Sequence, residues 1–204
     1  MNEKSPQKES AVDMAFIGKQ EGASITRGYV PLADKSQSGV TIATGFDIGQ
    51  QSNLDMLRAD LRDRLTPYLH LKGADAKAFL QKHPLEISVA DAKAIDDAYE
   101  TQFIHTLMTK YDKATSLLFA KLPTERVIPF ADLPAGVQTA IASVAFQYGD
   151  LATRTPIFWG QVTQRKWADA IATLEDFHDI YHDRRKAEAA LMRADKPADD
   201  RSNS

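Results

Sequence analysis

Between Gly28 and Gly49 the sequence GYVPLADKSQSGVTIATGFDIG mixes glycine punctuation with β-branched residues. After Gln51 such strand patterns essentially vanish from the 204-residue chain. One short β segment is too little to close a barrel or build a sandwich, so a core has to come from helices. The expected class is α+β and mostly helical, with a small β lobe after the first helix and a larger helical lobe.

Apolar spacing predicts where those helices lie. Val12, Ala15, Phe16 and Lys19 recur at helical intervals behind Ser10, a candidate N-cap, with Gly22 as a stop, giving a helix over about 11–21. Leu54, Leu57, Leu61 and Leu65 form one buried stripe in a helix over Asn53–Leu65. A shorter helix over Asp75–Lys82 precedes Pro84. Ser88 followed by Asp91 reads as a capping box, opening a long helix with Ile95, Tyr99, Phe103, Leu107 and Leu118 on its buried face. Further helices are predicted over Pro134–Gln147, closed by Gly149, and over Pro156–Gln164, Lys166–Asp176 and Ile180–Met192. The polar stretches 1–10 and 193–204 read as flexible tails around a domain at 11–192, with its β lobe over about 23–51 and its helical lobe over 52–192.

Composition removes several classes of function. Lys and Arg total 25 against 28 Asp and Glu, a formal charge of −3, so no basic excess marks a nucleic-acid partner. With no cysteine, a disulfide framework, an iron–sulfur cluster, a thiolate nucleophile and a cysteine zinc site are all excluded. No apolar run reaches the ~20 residues of a membrane span, and Met1 to Ser10 lacks the hydrophobic stretch of a secretory signal. His178 and His182 stand at i, i+4, but the HExxH pattern is missing, and no metal or cofactor is expected. Phosphate loops, dinucleotide glycines and nucleophile elbows are also missing. The run Arg184, Arg185 and Lys186 is expected to decorate a helix and favour its dipole, or to contact an anionic polymer.

The β segment carries the candidate chemistry. Its even positions, Val40, Ile42, Thr44, Phe46 and Ile48, make a core face; its odd positions are Thr41, Ala43, Gly45 and Asp47. Small residues between a hydroxyl and a carboxylate suit close approach by a ligand. Fully extended, Thr41 and Asp47 would stand about 20 Å apart at roughly 3.3 Å per residue, and Gly45 is where a turn could join them. Glu21, at the end of the first predicted helix, adds a second carboxylate. Two carboxylates facing one cleft are the minimum for glycoside hydrolysis: one protonates the leaving oxygen, the other directs a water or attacks the sugar. The plainer alternative is an exposed helix-end glutamate and a turn aspartate bonded to its own backbone.

Glu21 and Gly22, then GYVP at 28–31 and SGVTIATGFDIGQ at 38–50, resemble the lysozyme domain of pesticin and its toxin relatives, a group similar in fold to T-even phage lysozymes. VAFQYG at 144–149, QRKWADAIATL at 164–174 and RRKAEAALM at 184–192 resemble the carboxy-terminal helices of such lysozymes. The resemblance implies a lysozyme-like fold and makes Glu21 the general acid, Thr41 the water-ordering hydroxyl and Asp47 the second carboxylate. In T-even phage lysozymes the aspartate precedes the threonine, so Asp34 is the alternative to Asp47. For Glu21 to act as an acid near neutrality its proton must be held above the free value of about 4.3. Carboxyl separations of roughly 6.5–9.5 Å favour inversion and roughly 5–5.5 Å retention; the phage resemblance leans toward inversion.

On this resemblance the expected activity is a muramidase, cutting the β-1,4 bond between N-acetylmuramic acid and N-acetylglucosamine without a cofactor. Tyr29, Phe46, Gln50, Gln147 and Tyr148 are the candidate contacts to N-acetyl groups and sugar faces. The chain is expected to be made in the cytoplasm, to act as a monomer in the periplasm or wall of a target bacterium, and to involve an immunity protein and a secretion partner, for example type VI. A phage endolysin, a lytic transglycosylase and an inactive wall-binding module are the alternatives.

Overall fold

A computed structural model describes residues 8–19, 24–33, 37–120 and 126–196. These form α1 (Met14–Gly18), then β1 (Ile25–Tyr29), β2 (Thr41–Ala43) and β3 (Phe46–Asp47). α2 (Ala59–Leu65), α3 (Gly73–Lys82) and α4 (Val89–Phe119) follow. The remaining helices are α5 (Ala135–Tyr148), α6 (Leu151–Arg154), α7 (Pro156–Thr163), α8 (Trp167–Glu175) and α9 (His182–Asp195). The α+β, mostly helical class read from the sequence holds.

The chain divides into two compact units, one of Met1–Gln20 with Phe103–Ser204 and one of Glu21–Gln102. The unit of residues 21–102 is built on an antiparallel meander in the order β1-β2-β3. Ile42 and Phe46 pair across the second hairpin and drop into a core with Val40, Ile48, Leu54, Leu61 and Ile95. The outer edge of β1 is covered by the segment before α4: Gly28 N–H donates to Leu85 O and Ile87 N–H to Thr26 O. A strand edge closed this way offers no template for further pairing.

The other unit is organised around α5, whose residues Gly136 to Ala145 are all buried. A helix buried on every side has to be wrapped by others. α1, α6 and α9 all pack on it, and Ile141, Val144, Phe158, Leu174 and Met192 share its core.

Several boundaries differ from the sequence reading for identifiable reasons. Asp13, not Ser10, caps α1, accepting the Phe16 N–H at 3.0 Å; the Ser10 hydroxyl instead donates to Gln138 Oε1 at 2.8 Å. Gly22 lies outside the described residues. All four leucines of the 54–65 stripe are buried, but the helix begins only at Ala59. Before it Asn53 accepts the Asp55 N–H and Leu57 N–H reaches Leu54 O, which makes a turn. On α4 the four-residue series Leu107, Tyr111, Thr115 and Phe119 is buried, and Leu118 is 42% exposed. α9 starts at His182 and runs to Asp195, whose Oδ2 takes the Gly136 N–H at 2.8 Å. His178 precedes α9 in left-handed backbone, φ +58°, so the two histidines do not share a helix face.

Candidate active site

A three-residue turn of Ala43, Thr44 and Gly45 folds β3 back on β2 and makes Thr41 the cross-strand partner of Asp47. Tyr29 of β1 pairs with Thr41 from the other side. Tyr29, Thr41 and Asp47 thus stand in one row across three strands, and residues directly opposite in antiparallel pairs project to the same face. Ile42 and Phe46 occupy the opposite, core-facing side. The turn needs left-handed backbone at Gly45, φ +84°, which glycine adopts without strain.

One residue sets the orientation of both polar side chains. Gly39 N–H donates to the Asp47 carboxylate at 3.0 Å to each oxygen, and the Thr41 hydroxyl donates to Gly39 O at 3.4 Å. Asp47 also accepts the Gln50 N–H at 3.3 Å and so caps a 3-10 turn over Ile48–Gln50. The turn-residue role that the sequence allowed for Asp47 is therefore present. The approach depends on Gly39 and Gly49, since a Cβ on Gly39 would lie 2.5 Å from the Gly49 Cα and 2.6 Å from Asp47 Oδ1. Thr41 is only 3% exposed, whereas Asp47 is half-buried.

The other sequence candidates separate. Glu21 and the alternative Asp34 lie outside the described residues. Tyr29 stays exposed at the end of the row. Gln50 is exposed and its amide donates to Gln37 O at 2.7 Å, pinning the loop that leads to Gly39. Phe46 requires correction from sugar contact to core residue: it is 2% exposed and packs edge-on against Tyr99 at 5.4 Å. Gln147 and Tyr148 belong to the other unit, where Gln147 accepts from Arg185 and the Tyr148 hydroxyl donates to Asp179 at 2.7 Å. Burial, and then Asp179, push the Tyr148 hydroxyl up to about 12.

The arginine run is likewise corrected. Arg184 and Arg185 face inward, Arg185 with 2% exposure, and Lys186 alone is exposed. Arg185 pairs with Glu188 at 2.7 Å and Asp179 at 3.3 Å, and Arg184 with Glu188 at 3.3 Å and the Ser143 carbonyl at 3.1 Å. Their glutamate lies within one helical turn of both arginines, a signal that was available in the sequence.

Asp96 of α4 is a polar residue at this hairpin that sequence reasoning missed. Its Oδ1 accepts the Thr44 N–H at 2.9 Å, and its Oδ2 accepts the Thr44 hydroxyl at 2.9 Å and the Ser24 hydroxyl at 3.3 Å. Its partners lie 52 and 72 positions away, beyond any local pattern. Among the described residues no cluster of His, Asp and Glu could hold a metal ion, and no helix is long and apolar enough to cross a membrane.

The family model described as pesticin, bacterial toxin homologue of phage lysozyme, C-terminal part, matches residues 11–168. The chain belongs to the pesticin family. No curated protein matches it. The pesticin-family match takes in Glu21, the whole meander and α5. It makes this a lysozyme-like domain of the peptidoglycan-hydrolase, toxin kind.

Proposed function

We propose that the chain is a muramidase, hydrolysing the β-1,4 bond between N-acetylmuramic acid and N-acetylglucosamine, with Glu21 as general acid, Asp47 as second carboxylate and Thr41 as the hydroxyl that orients water. The observation that carries this reading is the cross-strand pairing of Thr41 with Asp47, off the core face of the sheet, in a lysozyme-like chain. Because the Thr41 proton is directed to Gly39 O, its oxygen is free to accept a hydrogen from water. A water giving one hydrogen to Thr41 and the other to Asp47 would turn a lone pair toward the anomeric carbon. Asp47 takes the proton as the new C–O bond forms, and Glu21 gives one to the departing glycosidic oxygen. The product is a reducing N-acetylmuramic acid end. Tyr29, at the end of the row, and Gln50 are positioned to border the sugar.

As a bacteriolytic toxin it would act on the wall of a target bacterium after delivery, with an immunity protein protecting the producer. The test is mass spectrometry of products from purified peptidoglycan treated with wild type, Glu21→Gln and Asp47→Asn, all checked for native circular dichroism. Wild type should release reducing N-acetylmuramic ends, and each variant should be slower by about 10²–10⁴-fold, the usual weight of a general acid or base. Anhydro ends would make it a transglycosylase, and no cleavage by folded wild type would leave a wall-binding module. If Asp47→Asn stays active and Asp34→Asn does not, the second carboxylate is Asp34.

A further inference from the structure

We infer that Asp96 is a positioning residue for hydrolysis, a role that rests on the muramidase reading above. The hairpin carrying Thr41 and Asp47 is very short, with three residues in β2 and two in β3. Strands that short share few ladder hydrogen bonds, so contacts made to the tip from outside the sheet weigh on where it stands. Thr44 sits at that tip, three residues after Thr41 and three before Asp47. Asp96 takes both of its donors, the N–H and the hydroxyl, each at 2.9 Å.

The same carboxylate reaches a second segment. Ser24, whose hydroxyl donates to Asp96 Oδ2 at 3.3 Å, lies three residues after Glu21. One side chain therefore ties the residue just before β1 to the hairpin bearing the proposed base. Its mount is rigid, because Asp96 sits two turns into a 31-residue helix. The adjacent Asp97 is spent differently: it faces outward and pairs with Lys93 at 2.7 Å. Carboxyl separation decides how a glycosidase works, and displacement by about 1 Å can cost about 10²-fold. A clamp on the hairpin tip acts on where Thr41 and Asp47 stand without touching the sugar.

The test is steady-state hydrolysis of soluble glycan chains freed from peptidoglycan by an amidase. Asp96→Ala should lower kcat about 10- to 100-fold and leave KM within about twofold, since no sugar contact is removed. Asp96→Asn should recover most of the rate: its amide oxygen still accepts the Thr44 N–H, and its NH2 can donate to hydroxyls that turn round to accept. Ser24→Ala and Thr44→Val should each reduce kcat several-fold in the wild type and add nothing in Asp96→Ala. A residue that only stabilises the fold would lower the melting temperature and leave kcat of the folded variant intact. Full kcat in folded Asp96→Ala, or additive losses with Ser24→Ala and Thr44→Val, would overturn the positioning role. Should Asp96→Ala not fold, wild-type kcat in both Ser24→Ala and Thr44→Val overturns it equally. A wild type releasing no reducing ends would instead overturn the muramidase reading, and this inference with it.

Discussion

At the scale of single residues the candidate site depends on what is missing from Gly39. Its N–H donates to Asp47 and its carbonyl accepts the Thr41 hydroxyl, and it can do both only because nothing separates it from Gly49. A methyl group there would meet backbone at 2.5 Å, and backbone cannot rotate away. Gly39→Ala should therefore destabilise the protein by about 1–3 kcal/mol, the usual cost of overpacking, and abolish most of the activity as Asp47 loses its donor. Gly45→Ala is the control: open space surrounds it, and it meets only the left-handed backbone penalty, about 1–2 kcal/mol. Urea unfolding and initial rates on peptidoglycan separate the two, and equal activity in both variants would refute the account. Gly45 and the turn role of Asp47 were legible in the sequence because turn chemistry is local. Asp96 was not, since an aspartate beside another on a long helix reads as solvated surface until its distant partners are known.

At the scale of elements, spacing located the helices and local caps located some of their ends. The capping box at the start of α4 forms as read: Asp91 N–H donates to Ser88 Oγ at 3.0 Å and Ser88 N–H to Asp91 Oδ2 at 3.3 Å. Ser88 first, and then Arg58, hold the Asp91 carboxyl below its ordinary range. Ser88→Ala should cost about 0.5–2 kcal/mol as the cap is lost, and the Asp91 titration followed by NMR should move back up. An unchanged Asp91 titration would mean that the Ser88 N–H and Arg58, both left in place by the substitution, set it. The start of α1 was misread by the same logic that succeeded here. Ser10 has the chemistry of a cap, but Gln138, 128 positions away, takes its hydroxyl, and Asp13 caps instead. Local signals fail where a tertiary partner outbids them. The arginines of α9 failed likewise, because a basic run on a polar helix looks exposed until Glu188 is seen to be buried beside them.

At the scale of the whole molecule, one β run among helices was enough to specify the class. The division between units was not visible, since it falls between Gln102 and Phe103, inside α4, where helical periodicity runs on uninterrupted. Electrostatics at this scale yields a test in which the sign decides. Asp60, Asp91 and Asp150 are held below the ordinary carboxylate range by hydrogen-bonding partners, respectively Arg58, Ser88 and Lys110 first. What they contribute is present above the unfolded value of about 3.9 and lost as pH falls through their lowered values. Glu100 behaves oppositely: desolvation first, then Asp96 and Asp97, push it up. Its contribution is complete below the unfolded value of about 4.3 and is lost as pH rises through the raised one. At neutral pH the folded protein therefore carries a carboxylate it would rather keep protonated, and Glu100→Gln removes that burden. The urea midpoint of Glu100→Gln should exceed that of wild type at pH 7, and the two should converge near pH 3.5, where both forms are neutral in either state. The gap will be small, because Glu100 is partly solvated and its repulsion screened. A variant less stable than wild type at pH 7, or one whose advantage persists unchanged in acid, would show that Glu100 matters through packing and not through its charge.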